Sequence, residues 1–324
     1  MSMSQLDNQK YLVGVRCSTF NQSLYIEETM NGFVIQKTAF PFIVMIIDDA
    51  STDGQQSLIT AYMTRSFDME GNAARRIETE YAEIFHARHK TNSNCYFTVL
   101  FLKENHYQKE LHYKKLEYLS QWRDSVTYES LCEGDDWWTD PYKLQKQVDF
   151  MELHPDYSLC CTAYGSMRMK DGFVKDEKGV EADITLRQLL KKNFIGTLTV
   201  MYRKELHQEY MEQVLPVMPK FRMGDIPLWL FMASKGKIRK LADQTAMYRK
   251  LEYSASHSDD FDRQLEFLLD ASRIRLWMNG YLGTGYALYL KLIMYSDVLG
   301  FCRKWSRSHG GRMTELWKKA IKHI

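Results

Sequence analysis

The sequence predicts an α/β protein with a largely parallel sheet at its centre and a helical segment at its C-terminal end. Four short apolar runs suit buried strands, and each ends in polar residues, at positions 11–16, 42–48, 97–103 and 128–132. A helical pattern separates the first two runs. From about Asp262 onward the spacing of apolar residues is that of helices.

The composition is that of a globular protein without a nucleic-acid partner. The chain has 324 residues, 45% of them hydrophobic, and a formal net charge of +2, so it can form a packed core and has no overall basic character. The six cysteines form no CxxC pair, and we expect reduced thiols in a cytoplasmic protein. We expect no secretory signal in the first ten residues. We also expect no membrane span, because Lys291 and Asp297 interrupt the longest apolar run.

The first strand–helix–strand unit predicts where a ligand binds. Ile26, Met30, Phe33 and Val34 recur with helical spacing, and Ser23 is a suitable N-cap. A helix between two neighbouring strands implies a right-handed parallel crossover. Because such crossovers bring the carboxyl ends of the strands to one edge of the sheet, we expect the binding site at that edge.

The remaining elements are predicted from weaker patterns. Residues 64–94 are charged and weakly periodic, and we expect a helix with loops between the second and third strands. Another helix is expected to begin at Pro141 and to end before Pro155. Two further strands and one helix are expected at 158–163, 197–203 and 226–234, respectively.

Acidic residues follow the predicted strands at two places. The strand 42–48 runs into Asp48 and Asp49, in a loop that is rich in hydrogen-bond acceptors and turns at Gly54. Carboxylates at such strand ends can accept hydrogen bonds from a nucleobase or a ribose hydroxyl. Alternatively, the two aspartates cap the next helix.

The second acidic group has three carboxylates within four residues: Glu133, Asp135 and Asp136. Crowded carboxylates are costly to ionise without a cation, and oxygen ligands favour Mg²⁺ or Mn²⁺. The alternative is a solvated acidic turn before a helix. The adjoining Trp137 and Trp138 suit either stacking on a sugar ring or filling the core.

Together these segments resemble family 2 glycosyltransferases with the GT-A fold, particularly bacterial enzymes of surface-polysaccharide assembly. The resemblance spans roughly residues 12–256 and is most specific in Ile46–Gly54, which reads I-I-D-D-A-S-T-D-G where the family has V-D-D-G-S-T-D-G. Val15–Asn21 is similar to the family's first strand, whose end contacts the donor base. The resemblance implies donor-binding roles for Thr19, Phe20, Asn21, Asp48, Asp49, Ser51, Asn105, Glu133 and Asp136.

The resemblance also implies the catalytic groups. Leu131–Gln147 is similar to the family's metal-binding motif, so that Asp135 would bind Mn²⁺ or Mg²⁺ at the donor diphosphate. Met223–Leu230 is similar to the segment that carries the catalytic base, which would be Asp225, although by position alone Asp225 is equally a helix N-cap. The chain departs from the family around Asn105, and it has Leu251 where a His is common.

The implied function is the inverting transfer of a sugar from a nucleoside diphosphate sugar, with UDP favoured, to a hydroxyl of a saccharide or lipid-linked acceptor. Two alternatives remain open. Clustered aspartates and a metal also serve nucleotidyl or phosphoryl transfer, although the chain has no glycine-rich phosphate loop. The chain could also be a non-catalytic protein that binds a sugar nucleotide.

The resemblance divides the chain into a GT-A domain, residues 1–261, and a helical extension, residues 262–324. Within the domain, residues 1–138 would bind the nucleotide and residues 139–261 the acceptor. Residues 303–324 contain seven Lys or Arg against one Glu, interleaved with apolar residues. This tail is predicted either to lie on the inner face of an anionic membrane or to pack on its own domain.

Overall fold

The computed structural model describes residues 10–111, 114–176, 179–251 and 260–324. Within these ranges one mixed sheet contains the strands β1 (Val13–Thr19), β2 (Phe42–Asp48), β3 (Arg75–Glu78), β4 (Ala82–Arg88), β5 (Cys95–Leu102), β6 (Tyr128–Leu131), β7 (Trp137–Trp138), β8 (Tyr157–Arg168), β9 (Phe173–Lys175), β10 (Ala182–Ile184), β11 (Met201–Arg203) and β12 (Lys237–Lys250).

Helices cover both faces of this sheet and form the C-terminal segment. They are α1 (Ile26–Val34), α2 (Gln55–Ser66), α3 (Lys114–Tyr118), α4 (Ser120–Arg123), α5 (Lys143–Leu153), α6 (Leu186–Lys191), α7 (Lys204–Gln213), α8 (Asp225–Lys235), α9 (Phe261–Tyr281), α10 (Ala287–His309) and α11 (Met313–Ile321). A single 3₁₀ turn spans Thr197–Thr199. None of the helices in the described ranges is long and apolar enough to cross a membrane.

The order of the strands brings the predicted strand ends together. The order across the sheet is β10-β12-β8-β11-β6-β1-β2-β5-β4-β3, with β7 paired to β12 and β9 to β8. Strands β6, β1, β2 and β5 run parallel to one another, as the crossover prediction requires. Thr19, the last residue of β1, lies opposite Asp48, the last residue of β2. The polar residues that follow these strands therefore share one edge of the sheet.

Helix α1 packs as its apolar spacing predicts. Ile26, Met30 and Phe33 are fully buried, and the ring of Phe33 meets Trp138 edge to face at 4.9 Å between centroids. Such a pair adds about 0.5–1.5 kcal/mol to the stabilisation from burial. Gly32 allows the helix to come this close, because a β-carbon there would lie 2.8 Å from the backbone nitrogen of Trp138. Helix α1 is thereby fixed against the segment that follows the acidic motif.

The structure corrects three of the predicted elements. Ser23 is not an N-cap: α1 begins at Ile26, and the Ser23 amide donates to Asp53 Oδ2 (2.8 Å), which fastens this loop to the next one. Residues 64–94 form the antiparallel pair β3–β4 rather than a helix, because buried and exposed residues alternate along them at the edge of the sheet. In 197–203 only Met201–Arg203 is a strand.

The C-terminal helices form a separate small core. Buried residues of α9 and α10 pack together with Ala320 of α11, and Leu316 and Trp317 of α11 are partly buried against the same group. The apolar residues of the basic tail thus contact their own chain. The tail was predicted either to lie on a membrane or to pack on its own domain, and Leu316, Trp317 and Ala320 of α11 pack on their own chain.

A buried charged group links β6 to helices on both sides. Glu129 of β6 accepts a hydrogen bond from Nε of Arg123 (2.5 Å) and lies 2.5 Å from Nδ1 of His207 on α7. Burial alone would raise the pKa of Glu129, but His207 and Arg123 outweigh it and hold that pKa well below its usual range. Burial lowers the pKa of His207, while the charge of Glu129 and its hydrogen bond to Nδ1 of His207 oppose that shift.

We predict that Glu129→Gln lowers the free energy of unfolding by about 3–5 kcal/mol, because the Arg123 guanidinium stays buried without its anion. Urea denaturation at neutral pH measures the difference. Since the pKa of Glu129 in the folded protein lies below the unfolded value of 4.5, the stabilisation is lost as the pH falls below that value. The free energies of unfolding of wild type and variant should therefore converge in acid.

The matched control is Glu83→Gln, which removes a carboxylate from an ion pair with Arg76 at the protein surface. Exposed pairs contribute about 0–1 kcal/mol, so this variant should be close to wild type. Equal stability of the two variants at neutral pH would contradict the structural role of Glu129.

Candidate active site

The loops after β1 and β2 are tied to each other by side-chain hydrogen bonds. The amide of Asn21 donates to Ser51 Oγ (2.9 Å), and the amide of Thr52 donates to Asn21 Oδ1 (2.8 Å). Thr19 Oγ1 lies 3.0 Å from Gln55 Oε1, at the start of α2. The side chain of Phe20 projects into solvent beside these residues. Four residues predicted to bind the donor, namely Thr19, Phe20, Asn21 and Ser51, therefore lie together.

Asp48 is fully buried and holds the second loop in shape. Its carboxylate accepts hydrogen bonds from the amide of Ser51 (3.0 Å) and from the side-chain amides of Gln55 and Gln56. This loop turns at Ala50, whose φ of 63° is in the left-handed region that non-glycine residues seldom adopt. The related motif has glycine at this position. Asp48 does not cap α2, which begins after Gly54 without a side-chain cap.

Asp49 connects the same edge to the loop after β5. Its carboxylate accepts hydrogen bonds from the amides of His106 (2.8 Å) and Tyr107 (3.1 Å) and from Lys115 Nζ (2.6 Å). Asn105 caps the turn in this loop, because its Oδ1 accepts from the amide of Gln108 (2.8 Å). The segment in which the chain departs from the family is thus fixed to Asp49. No sequence pattern identified Lys115 as its partner.

An open cleft of about 820 Å³ borders these loops. On one side it is lined by the loop after β1, including Asn21, and by Asp53. On the other side lie Lys170 and Leu251. The position at which a His is common in related sequences is therefore part of the wall of this cleft.

The three acidic residues after β6 form one group. One carboxylate oxygen from each of Glu133, Asp135 and Asp136 lies within 4.8 Å of the others. Thr29 of α1 holds their loop, because its Oγ1 lies 2.9 Å from the carbonyl oxygen of Gly134 and 2.6 Å from that of Asp136. Gly134 packs closely on the end of β1, since a β-carbon there would be 2.4 Å from Thr19 Oγ1.

The electrostatics of this group favour protonation or a cation. Desolvation, followed by the charges of Asp135 and Asp225, raises the pKa of Glu133 to about 7, although the residue keeps some exposure to solvent. Burial also raises the pKa of Asp135, and it raises that of Asp136 well above its usual range. Three oxygen ligands so close together fit a hard divalent ion such as Mg²⁺ or Mn²⁺.

Arg249, near the end of β12, is a buried cation next to the acidic group. Its amide donates to Asp136 Oδ1 (2.9 Å), and its guanidinium donates to the carbonyl oxygen of Asp135 and pairs with Glu28. The guanidinium also stacks on Trp137, 4.1 Å from the ring centroid. This arrangement follows from the pairing of β12 with β7, in which Met247 lies opposite Trp137.

The two tryptophans have different environments. Trp138 is fully buried, and its indole N–H donates to the carbonyl oxygen of Leu198 (2.9 Å), so it fills the core. Trp137 is half-buried and supports Arg249. Of the two interpretations of this pair, filling the core therefore describes Trp138, whereas Trp137 borders the acidic group.

Asp225 is the first residue of α8 and is not its N-cap, which is Gly224. Burial raises the pKa of Asp225. Its charge in turn helps to raise the pKa of Glu133, so the two carboxylates are within electrostatic range of each other. Asn193 Nδ2 donates to Asp225 Oδ2 (3.0 Å), and Asn193 Oδ1 accepts from the amide of Ile195 (3.1 Å), which fixes the orientation of the amide group.

Most residues proposed from the sequence lie at this edge of the sheet, but several of them act through neighbours that the sequence did not indicate. Arg249 lies two residues before Leu251, the position at which the resembling family commonly has a His. Four further neighbours are Gln55, Thr29, Lys115 and Asn193. Each is far in sequence from the site residue that it contacts, so no local pattern identifies it.

Sequence comparison gives one curated relative of stated activity. No protein-family model matches the chain. An uncharacterized protein of Mycobacterium tuberculosis is 31% identical over 253 residues, which are 76% of this chain and 61% of that protein, so the chain spans less than two thirds of this relative. The putative teichuronic acid biosynthesis glycosyltransferase TuaG of Bacillus subtilis is 28% identical over 234 residues, covering 71% of this chain and 75% of TuaG.

Comparison of structures gives the fold. The S. aureus protein TarS, in complex with UDP-GlcNAc, matches 90% of this chain and 81% of its own with a TM-score of 0.53 and 14% identity. The mannosyltransferase PcManGT of Pyrobaculum calidifontis, in complex with GDP-Man and Mn²⁺, matches 97% of this chain and 81% of its own with a TM-score of 0.52 and 13% identity. The predicted GT-A glycosyltransferase fold is therefore confirmed, and the chain is similar in sequence to a putative glycosyltransferase of teichuronic acid biosynthesis.

Proposed function

We propose that the protein is a metal-dependent, inverting glycosyltransferase of cell-surface polysaccharide synthesis. It would move a sugar from a nucleoside diphosphate sugar, with UDP as the favoured nucleotide, to a hydroxyl of a saccharide or lipid-linked acceptor in the cytoplasm. The observation that carries this proposal is the crowding of the Glu133, Asp135 and Asp136 carboxylates at the strand ends, with the charge of the half-buried Asp225 acting on Glu133. The likeness to TuaG and to two nucleotide-sugar complexes supports it.

The donor half of the site would be formed by the loops at the sheet edge. Phe20, Asn21 and Ser51 keep exposed surface that would be available for the nucleotide, and Asn21 lines the open cleft. Thr19 is buried, so it would act by supporting these residues. Asp48, Asp49 and Asn105 would act mainly by holding the loops that surround the base. The nucleotide half would then be residues 1–138, the acceptor half 139–261 and the extension 262–324.

A divalent ion held by Asp135, with Glu133 and Asp136 beside it, would offset the negative charge that grows on the departing diphosphate. Asp225 would accept the proton of the acceptor hydroxyl as that oxygen attacks the anomeric carbon. The bond between this carbon and the diphosphate oxygen breaks as the new glycosidic bond forms on the opposite face. Attack from the opposite face inverts the configuration and needs no covalent intermediate.

We predict that Asp135→Asn weakens the metal-dependent binding of UDP by at least about tenfold, because the amide lacks the charge that holds the cation. Isothermal titration calorimetry with UDP, in Mn²⁺ and in EDTA, measures this. Wild type should bind UDP more tightly with Mn²⁺ than in EDTA. The control is Asp124→Asn, an exposed aspartate at the opposite end of β6. A folded wild-type protein that binds no nucleotide would refute the donor site.

A second prediction concerns the base. Asp225→Asn should reduce sugar transfer by about 10²–10⁴-fold, since the amide cannot accept the proton, while UDP binding changes by less than about twofold. Transfer is followed as UDP released from a panel of UDP-sugars with saccharide acceptors. Retention of full transfer by this variant, with normal UDP binding, would eliminate Asp225 as the base.

A third prediction tests Asn193, which donates to Asp225 and so favours its ionised form. Asn193→Ala should raise the pKa of Asp225, because the ionised carboxylate loses this hydrogen-bond donor while the charge of Glu133 remains. The acidic limb of the kcat–pH profile would then move upward by about one unit, and activity would fall more at low pH than at high pH. An equal loss at every pH would show that Asn193 has only a structural role.

A further inference from the structure

The outer side of α10 exposes large apolar residues in helical register. Leu288 is 74% exposed, Leu292 is 62% exposed and Tyr295 is 44% exposed. They occur at i, i+4 and i+7, so they lie in a row on one side of the helix, which we call the α10 stripe. The opposite side of α10 buries Leu290, Met294, Val298 and Cys302 in the protein. Helix α10 is thus apolar on two sides, of which the described residues cover only one.

Cations continue this surface toward the end of the helix. Arg303, Lys304 and Arg307 are exposed and line one shallow hollow together with Gly300 and Ser308. None of the three forms an ion pair with another residue in the described ranges. The helix is about 35 Å long at 1.5 Å per residue, so the cations follow the stripe along the helix axis, with Arg303 and Arg307 on the flank next to it.

The same sign of charge extends onto α11. Lys318 and Lys322 are exposed on this helix, while its apolar residues Leu316 and Trp317 are packed against α9 and α10. Most of the apolar side of α11 is thus covered by its own chain, although Ile321 is 45% exposed. The larger exposed apolar group in the described C-terminal helices is on α10.

We propose that the α10 stripe and the cations that follow it form a docking surface for an anionic lipid bilayer. Leucine and tyrosine side chains would enter the interfacial region, and Arg303, Lys304 and Arg307 would contact lipid phosphates. The surface adds to the proposed function, because a lipid-linked acceptor lies at a membrane. The test of this surface measures binding to lipid and not sugar transfer. The docking proposal can therefore fail while the glycosyltransferase proposal stands, and the glycosyltransferase proposal can fail while the docking proposal stands.

Charge complementarity favours a bilayer over the other occupants. A second copy of the chain would bring a surface with the same excess of cations, and two such surfaces repel each other. A soluble polyanion would use the arginines and lysines but would gain nothing from Leu288 and Leu292. An anionic bilayer offers apolar and negatively charged groups side by side along the whole length of the helix.

The experiment is co-sedimentation of the full chain with phosphatidylcholine vesicles, with and without phosphatidylglycerol. Wild type should bind only the vesicles that contain phosphatidylglycerol, and added salt should weaken the binding. Leu288→Ser/Leu292→Ser and Arg303→Gln/Arg307→Gln should each weaken it by about tenfold or more. The matched control is Leu153→Ser, which replaces a leucine of α5 that is 76% exposed and lies outside the stripe.

Unchanged thermal stability of the variants confirms that they fold, because all the replaced side chains are at the surface. Failure of wild type to bind anionic vesicles would overturn the proposal, and so would equal binding by Leu288→Ser/Leu292→Ser. Sedimentation velocity tests whether a second copy of the chain binds to the stripe. The stripe would be assigned to self-association instead if the wild type is a dimer that does not bind vesicles and the Leu288→Ser/Leu292→Ser variant is a monomer.

Discussion

The crowding of buried carboxylates at the edge of the sheet is the constraint on which the rest of the site depends. Burial is the main reason that the carboxylates of Glu133, Asp135 and Asp136 are costly to ionise. The charge of Asp135 adds to this cost for Glu133 and Asp136, and Asp225 adds to it for Glu133. A loop free to move would separate these groups. Here it cannot, because Thr29 holds the loop from α1 and the amide of Arg249 holds it from β12. The protein thus maintains an unfavourable charge density that a ligand cation can relieve.

Asp48 and Asp49 lie at the strand end where the motif was predicted, but their carboxylates are engaged within the protein. The sequence suggested contact between their carboxylates and a nucleotide. In the structure both carboxylates are buried and hydrogen-bonded within the protein, Asp48 to its own loop and Asp49 to the loop after β5. These bonds also hold Ala50 in a conformation that costs a non-glycine residue about 1 kcal/mol. The motif is therefore a means of fixing two loops whose outer surfaces remain available.

The extent to which the sequence predicted the structure depends on the range of the interactions involved. The buried strands and α1 were predictable, because their apolar residues repeat within a few positions. The short strands β3 and β4 were not, since charged residues on an exposed sheet edge obscure the alternation. The pairs Asp49–Lys115 and Asn193–Asp225 join residues that lie far apart in the chain, and no local pattern could connect them.

Strand β12 gives one further consequence. It pairs with β8 over most of its length, its register shifts between Lys240 and Gln244 and again before Ala246, and it ends with Arg249 beside the acidic loop. Because side chains alternate between the two faces of a strand, a one-residue insertion or deletion in this segment would turn Arg249 to the opposite face. The length of β12 therefore sets the position of Arg249 beside the acidic loop.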